Sequence, residues 1–145
     1  MTFSLKSMVS WTLLVLMLMQ FIPLNRINPP VSDDVQTPFI IKSLLKKACY
    51  DCHSNETRWR GIAYIAPISW VLSSTVASGR NVVNFSLWNN KKKEQIKVQQ
   101  AEIRKVIAEG PVHQQLYYFW NSEAQLNTRE TQVLIQWINE SLDEQ

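Results

Sequence analysis

Cys49-Tyr50-Asp51-Cys52-His53 is the stretch around which the rest of the chain is read. Two cysteines three positions apart, followed at once by a histidine, form the attachment pattern of a c-type haem. The spacing has a chemical reason: thiols one helical turn apart reach the two vinyl groups of one porphyrin, and the next residue presents an imidazole to the iron. Cys49 and Cys52 are therefore candidates for covalent haem binding, and His53 for the proximal iron ligand. Two other readings compete. A thioredoxin-type dithiol sits near a βαβ pattern, and the chain has none. A structural zinc takes four N or S ligands, whereas the chain has two cysteines and two histidines in all, and His53 adjoins Cys52 too closely for finger spacing.

The chain has 145 residues, enough for one domain and an appendage. A net charge of +3, with Lys91-Lys92-Lys93 as its longest basic run, gives no case for nucleic acid. The appendage is N-terminal. Residues 8–24 carry no charge and are apolar apart from Ser10, Thr12 and Gln20. A cleavable signal would end in small residues, and Phe21-Ile22-Pro23-Leu24-Asn25-Arg26 offers no such site. Residues 1–27 thus read as an uncleaved signal anchor, a transmembrane helix near the lower limit of length, to which residues 2–5 contribute. Lys6 and the terminal amine favour an internal N-terminus, while Arg26 opposes them. Attachment of haem to such a motif normally takes place outside the cytoplasm, which puts the remainder of the chain on the periplasmic side.

Pro29-Pro30 makes residues 28–36 a stiff extended linker, and residues 37–145 form the folded domain. Ile40, Ile41, Leu44, Leu45 and Ala48 repeat at helical spacing and deliver the cysteines. A second helix opens at Pro67, buries Ile68, Val71, Leu72 and Val76, and stops at Gly79. A third, capped by Ser86 or Asn89-Asn90, carries Ile96, Ile103, Val106 and Ile107 to Gly110-Pro111. Asn127 and Glu130 form a capping box for a fourth, with Leu134, Trp137, Ile138 and Leu142 on one side. No alternating strand or internal repeat is present, so the class is all-α. Ten aromatic residues, Trp59, Tyr64, Trp70, Phe85, Trp88, Tyr117, Tyr118, Phe119, Trp120 and Trp137, supply core packing or a porphyrin wall. Asn-x-Ser/Thr triplets at Asn55, Asn84 and Asn139 are read as chance or cap chemistry.

Several separate motifs occur in one order: Asn28-Pro29-Pro30-Val31, the run from Ala48 through His53 to Trp59, Ile65-Ala66-Pro67-Ile68-Ser69-Trp70, Gly79-Arg80, and Val83-Asn84-Phe85-Ser86-Leu87-Trp88. In these the chain resembles the bacterial haem-binding domain family of cytochrome-like, membrane-anchored proteins, over about residues 28–142. The resemblance implies a small cytochrome c-like domain of about four short helices with one covalent haem c, tethered at the outer face of the cytoplasmic membrane. It carries the covalent and proximal positions onto Cys49, Cys52 and His53. It also implies a Met-Pro pair ahead of Tyr117 and Ala124-Gln125-Leu126, with methionine as distal ligand. The chain departs there, reading Pro111-Val112-His113-Gln114-Gln115. Its methionines are Met1, Met8, Met17 and Met19, so His113 is the candidate distal ligand.

Three functions follow in order. The first is electron transfer with an unidentified redox protein, at a potential lowered by His/His ligation. The second is a haem-based sensor that binds a diatomic gas at an open distal position. The third is peroxidase-like catalysis, for which Arg80 and His113 are available without a sign that they converge. The expectation is a protein that is not an enzyme.

Overall fold

The computed structural model describes residues 4–109, 117, 118 and 121–143. Among these residues the fold is all-α, as expected, with six α-helices: α1 Leu5–Met19, α2 Phe39–Ala48, α3 Tyr50–His53, α4 Ile68–Val82, α5 Lys93–Glu109 and α6 Thr128–Asp143. Short 3-10 turns cover Gly61–Tyr64, Trp88–Asn90 and Ser122–Ala124. His113, the Gly110-Pro111 stop, and Phe119 and Trp120 lie outside the described residues.

The core forms where α2, α5 and α6 turn their apolar sides inward. Ile41, Leu44, Leu45 and Ala48 of α2 are buried with Ile107 of α5 and Leu134 and Ile138 of α6. Complete burial of side chains such as Leu45, Leu134 and Ile138 contributes about 1.5–3 kcal/mol each. Ile40 belongs to the same periodic run but faces solvent. Lys47 reaches both carboxylate oxygens of Glu130 at 2.7 Å, tying α2 to the start of α6. The capping box is present there: the Asn127 N–H donates to Glu130 Oε2 at 2.8 Å and the Glu130 N–H to Asn127 Oδ1 at 2.9 Å.

Two helix boundaries differ from expectation. Gly79 does not stop α4, which continues to Val82 with Gly79 buried inside it. Val71, expected inside, is exposed, while Val76 is buried. Ser86 does not cap α5, which starts at Lys93 after the 3-10 turn at Trp88–Asn90. Instead the Ser86 hydroxyl accepts the Asn55 N–H at 2.9 Å.

Residues 28–36 are extended and packed along the domain. Asp33 forms a parallel bridge with Leu87, Val35 is buried, and its N–H donates to the Phe85 carbonyl at 2.9 Å. Asp34 accepts from the Tyr50 hydroxyl at 2.7 Å and pairs with Lys42. Burial and this carboxylate push the Tyr50 phenol well above its ordinary range. Tyr50, Phe85 and Trp88 then stack in succession at 5.6 and 5.5 Å. Asn55 sits at the middle of this strap: its side-chain amide donates to the Pro30 carbonyl at 2.8 Å, and its oxygen accepts from Asn84 at 2.9 Å. Asn55 and Asn84 are both buried, and Asn84 Oδ1 accepts the Ser86 N–H at 3.0 Å.

Asn55→Ala removes the partners of the Pro30 carbonyl and of the Asn84 amide, and an unsatisfied buried group costs about 1–3 kcal/mol. Urea denaturation should show a loss in that range, whereas Asn25→Ala, in an exposed position, should leave the midpoint unchanged.

Candidate functional site

The Cys-x-x-Cys-His run lies where α2 hands over to α3. The Cys49 N–H still bonds to Leu45 of α2 at 2.8 Å, and the Cys49 carbonyl accepts the Cys52 and His53 N–H groups at 3.2 and 2.9 Å. One helical turn therefore joins the three residues. Cys49 is buried, Cys52 and His53 are half-buried, and neither cysteine is in a disulfide.

His53 is oriented by α4. Its Nδ1 lies 2.9 Å from the Gly79 carbonyl and 3.2 Å from the Val83 carbonyl. These oxygens belong to the last turn of α4, where the Gly79 carbonyl also accepts the Val83 N–H at 2.9 Å, and to the residue after it; carbonyls at a helix C-terminus carry partial negative charge. Two acceptors at one nitrogen favour the proton on Nδ1, which leaves the ring lone pair on Nε2. That is the arrangement of a metal-binding histidine, whose second nitrogen donates to a backbone carbonyl.

The approach of α4 requires glycine at position 79. A Cβ built there would stand 2.5 Å from the Cys52 carbonyl oxygen and 3.1 Å from its carbon. Backbone, unlike the end of a flexible side chain, cannot yield to it. The next residue, Arg80, holds the far side of the turn: Nε donates to the Ser54 carbonyl at 2.8 Å and Nη2 to Thr57 Oγ1 and Asn28 Oδ1, each at 2.8 Å. All the described hydrogen bonds of the Arg80 guanidinium are thus structural. Arg58 forms a fork on Asp51 inside the motif, at 3.0 and 3.2 Å, which raises the Arg58 pKa.

The thiols lie in apolar surroundings. Burial, followed by the neighbouring Cys52 sulfur, pushes Cys49 up to about 12. Burial and the Asp51 carboxylate push Cys52 up to about 11, with Arg80 acting the other way. Tyr117 senses the same surroundings, its phenol raised first by burial and then by Asp51, and its hydroxyl accepts from Asn121 at 2.8 Å. Trp70, near the start of α4, has a buried indole N–H with no hydrogen-bond partner among the described residues.

These residues fit a haem. Two protonated thiols at helical spacing and an imidazole whose Nδ1 faces two backbone carbonyls are groups that a porphyrin and its iron would satisfy. Among the described residues there is no cluster of three or more His, Cys, Asp or Glu that could hold a bare metal ion. The sequence marks Gly79 as a helix stop, Arg80 as a candidate partner of His113 and Trp70 as core packing or porphyrin wall, with all three inside the motifs of the family resemblance. The one signal for Gly79 was its place between Val76 and Val83 in an apolar helical pattern, where a glycine weakens a helix unless something approaches closely.

Two outcomes follow. Gly79→Ala should destabilise the protein by about 1–3 kcal/mol, the range for overpacking, while Ser78→Ala on the exposed side of the same turn should not; thermal melts of both check this. Before haem is attached, both thiols should be alkylated by iodoacetamide more slowly at pH 8 than in the urea-unfolded chain, because the thiolate is the nucleophile. The folded-state pKa values are raised above the ordinary 9.0, so the stability linked to them is complete below pH 9 and is lost as pH rises towards 11–12.

The family model of the haem-binding domain matches residues 14–140 of this chain. No curated protein and no solved structure matches it. The match takes in the Cys-x-x-Cys-His turn, α4 with its two carbonyls and the strap together, and on that extent the chain belongs to the haem-binding domain family.

Proposed function

We propose that the protein carries one covalent haem c on Cys49 and Cys52, with His53 as the proximal iron ligand, and that it transfers electrons at the outer face of the bacterial cytoplasmic membrane. The observation that supports this most is the His53 Nδ1 contact with the Gly79 and Val83 carbonyls at 2.9 and 3.2 Å. In attachment each thiol adds across one vinyl double bond, sulfur to one carbon and hydrogen to the other, so two thioethers form without loss or gain of electrons. Thiols held protonated are in the state that this addition consumes. Bound haem supplies a one-electron couple. The protein's part is to keep the imidazole oriented, to exclude water through Cys49, Tyr50 and Phe85, and to hold the loop at 54–58 with Arg80.

The distal ligand in this reading is His113, since residues 21–145 contain no methionine. The absence of a thioether also favours the second reading, a sensor that binds a diatomic gas at an open position. The membrane assignment is supported by α1, whose 15 residues include none that is buried and, apart from Lys6, none that is charged. No described helix is by itself long and apolar enough to cross a membrane; the uncharged run continues past α1 through Phe21, Ile22 and Leu24 towards the interface. The extended strap then carries the chain from the anchor to the haem domain. The partner is a redox protein at the same membrane face.

The ferric absorption spectrum of the full-length protein tests the reading. Electron transfer with His113 as ligand gives a low-spin spectrum without the far-red band of methionine ligation, and His113→Ala turns it high-spin. A wild-type protein that is already high-spin and takes up carbon monoxide at once would transfer the assignment to gas sensing. His53→Ala should leave little haem bound in either case.

A further inference from the structure

The segment that leaves α1 is clasped by the loop that precedes α4. Gln20 pairs with Ala66 as one strand residue pairs with another: its Oε1 accepts the Ala66 N–H at 3.1 Å and its Nε2 donates to the Ala66 carbonyl at 3.3 Å. Arg26 donates from Nε to the Ala63 carbonyl at 2.8 Å, and its guanidinium lies 4.7 Å over the Tyr64 ring. The end of the apolar helix and the 61–67 loop are thus bound side by side. Around the clasp the surface is apolar. Phe21, Ile22, Tyr64, Ile65 and Val71 are each more than half exposed, and Arg60 is exposed at the edge of the loop.

We propose that this surface is a second lipid contact, a seat for the haem domain in the headgroup region of the bilayer that α1 enters. The inference rests on α1 being the membrane anchor and adds to it an orientation. Length gives the first reason. At 1.5 Å per residue the 15 residues of α1 span about 22 Å, against about 30 Å of hydrocarbon. A short span is met by drawing its flanks into the interface, and the flank at this end is clasped to the loop. Composition gives the second. Tyr64 has the amphipathic ring favoured at headgroup level, and Arg26 and Arg60 suit anionic lipid phosphates. A two-fold interface with another copy would instead bring two copies of this basic patch onto one buried surface. The same loop opens α4, so the Gly79 carbonyl that orients His53 stands no more than about 17 Å along the helix from the seat. The redox partner would then meet the haem close to the membrane surface.

The test uses full-length protein in nanodiscs of phosphatidylethanolamine and phosphatidylglycerol, with photoreactive p-benzoylphenylalanine in place of Ile65 or, separately, of Leu14 in α1. After illumination, mass spectrometry should find lipid adducts at both positions. The Gln20→Ala/Arg26→Ala double variant should lose the adduct at position 65 severalfold and keep the one at position 14. Lipid adducts at 14 with none at 65 would overturn the seat and leave the anchor standing. No lipid adduct at either position would overturn the anchor itself. A crosslink from position 65 to a second protein chain would make the surface a dimer contact and overturn the proposal.

Discussion

The contact between α4 and the Cys-x-x-Cys-His turn is the constraint on which the rest of the site depends. A helix that ends against a short turn must place its last carbonyls somewhere, and here they lie on His53 Nδ1 at 2.9 and 3.2 Å. The imidazole is thereby fixed at the negative end of α4, by the Gly79 carbonyl, which also accepts the Val83 N–H, and by the Val83 carbonyl. Such a separation is reached only because position 79 has no Cβ, since a methyl group there would overlap the Cys52 carbonyl. The ordinary helix penalty of glycine, about 1 kcal/mol against alanine, is offset by the position of the ring.

Polar groups around the turn are satisfied from outside the helices. Four residues of α3 cannot cover their own backbone, and the loop after His53 has no regular structure. Arg80 takes the Ser54 carbonyl, Phe85 donates to the His53 carbonyl at 2.8 Å, and Ser86 and Asn84 hold Asn55. The 28–36 strap then closes the set through Pro30, Asp33 and Val35. The strap is therefore part of the domain as well as the path from it to α1. Asn28 lies in both, bonded to Thr57 and Arg80.

Residues with a local signal were legible in the sequence. The all-α class, α2, the capping box of α6 and the buried Leu134 and Ile138 follow from 3.6-residue periodicity and from one pair of side chains three apart. The candidate haem residues were legible because the chemistry requires them at adjacent positions. What was not legible depends on long-range contacts. Gly79 reads as a helix stop until Cys52 is seen above it, and Ser86 as a cap until Asn55 is found on its hydroxyl. Ile40 and Val71 match the helical pattern yet face solvent, because periodicity gives a stripe and not its edges. The Pro29-Pro30 segment is extended, as paired prolines require, but no local rule reveals that Asp34 and Val35 pack against Tyr50 and Phe85.

Covalent attachment at the turn oriented by α4 is tested most directly by mass spectrometry of the denatured full-length protein and of its proteolytic peptides. Attachment predicts an intact mass greater than that of the polypeptide by one haem, with the added mass confined to the peptide that contains Cys49, Cys52 and His53, and both thiols inert to alkylation. An unmodified polypeptide mass, with haem released on denaturation and both cysteines alkylated, would contradict it.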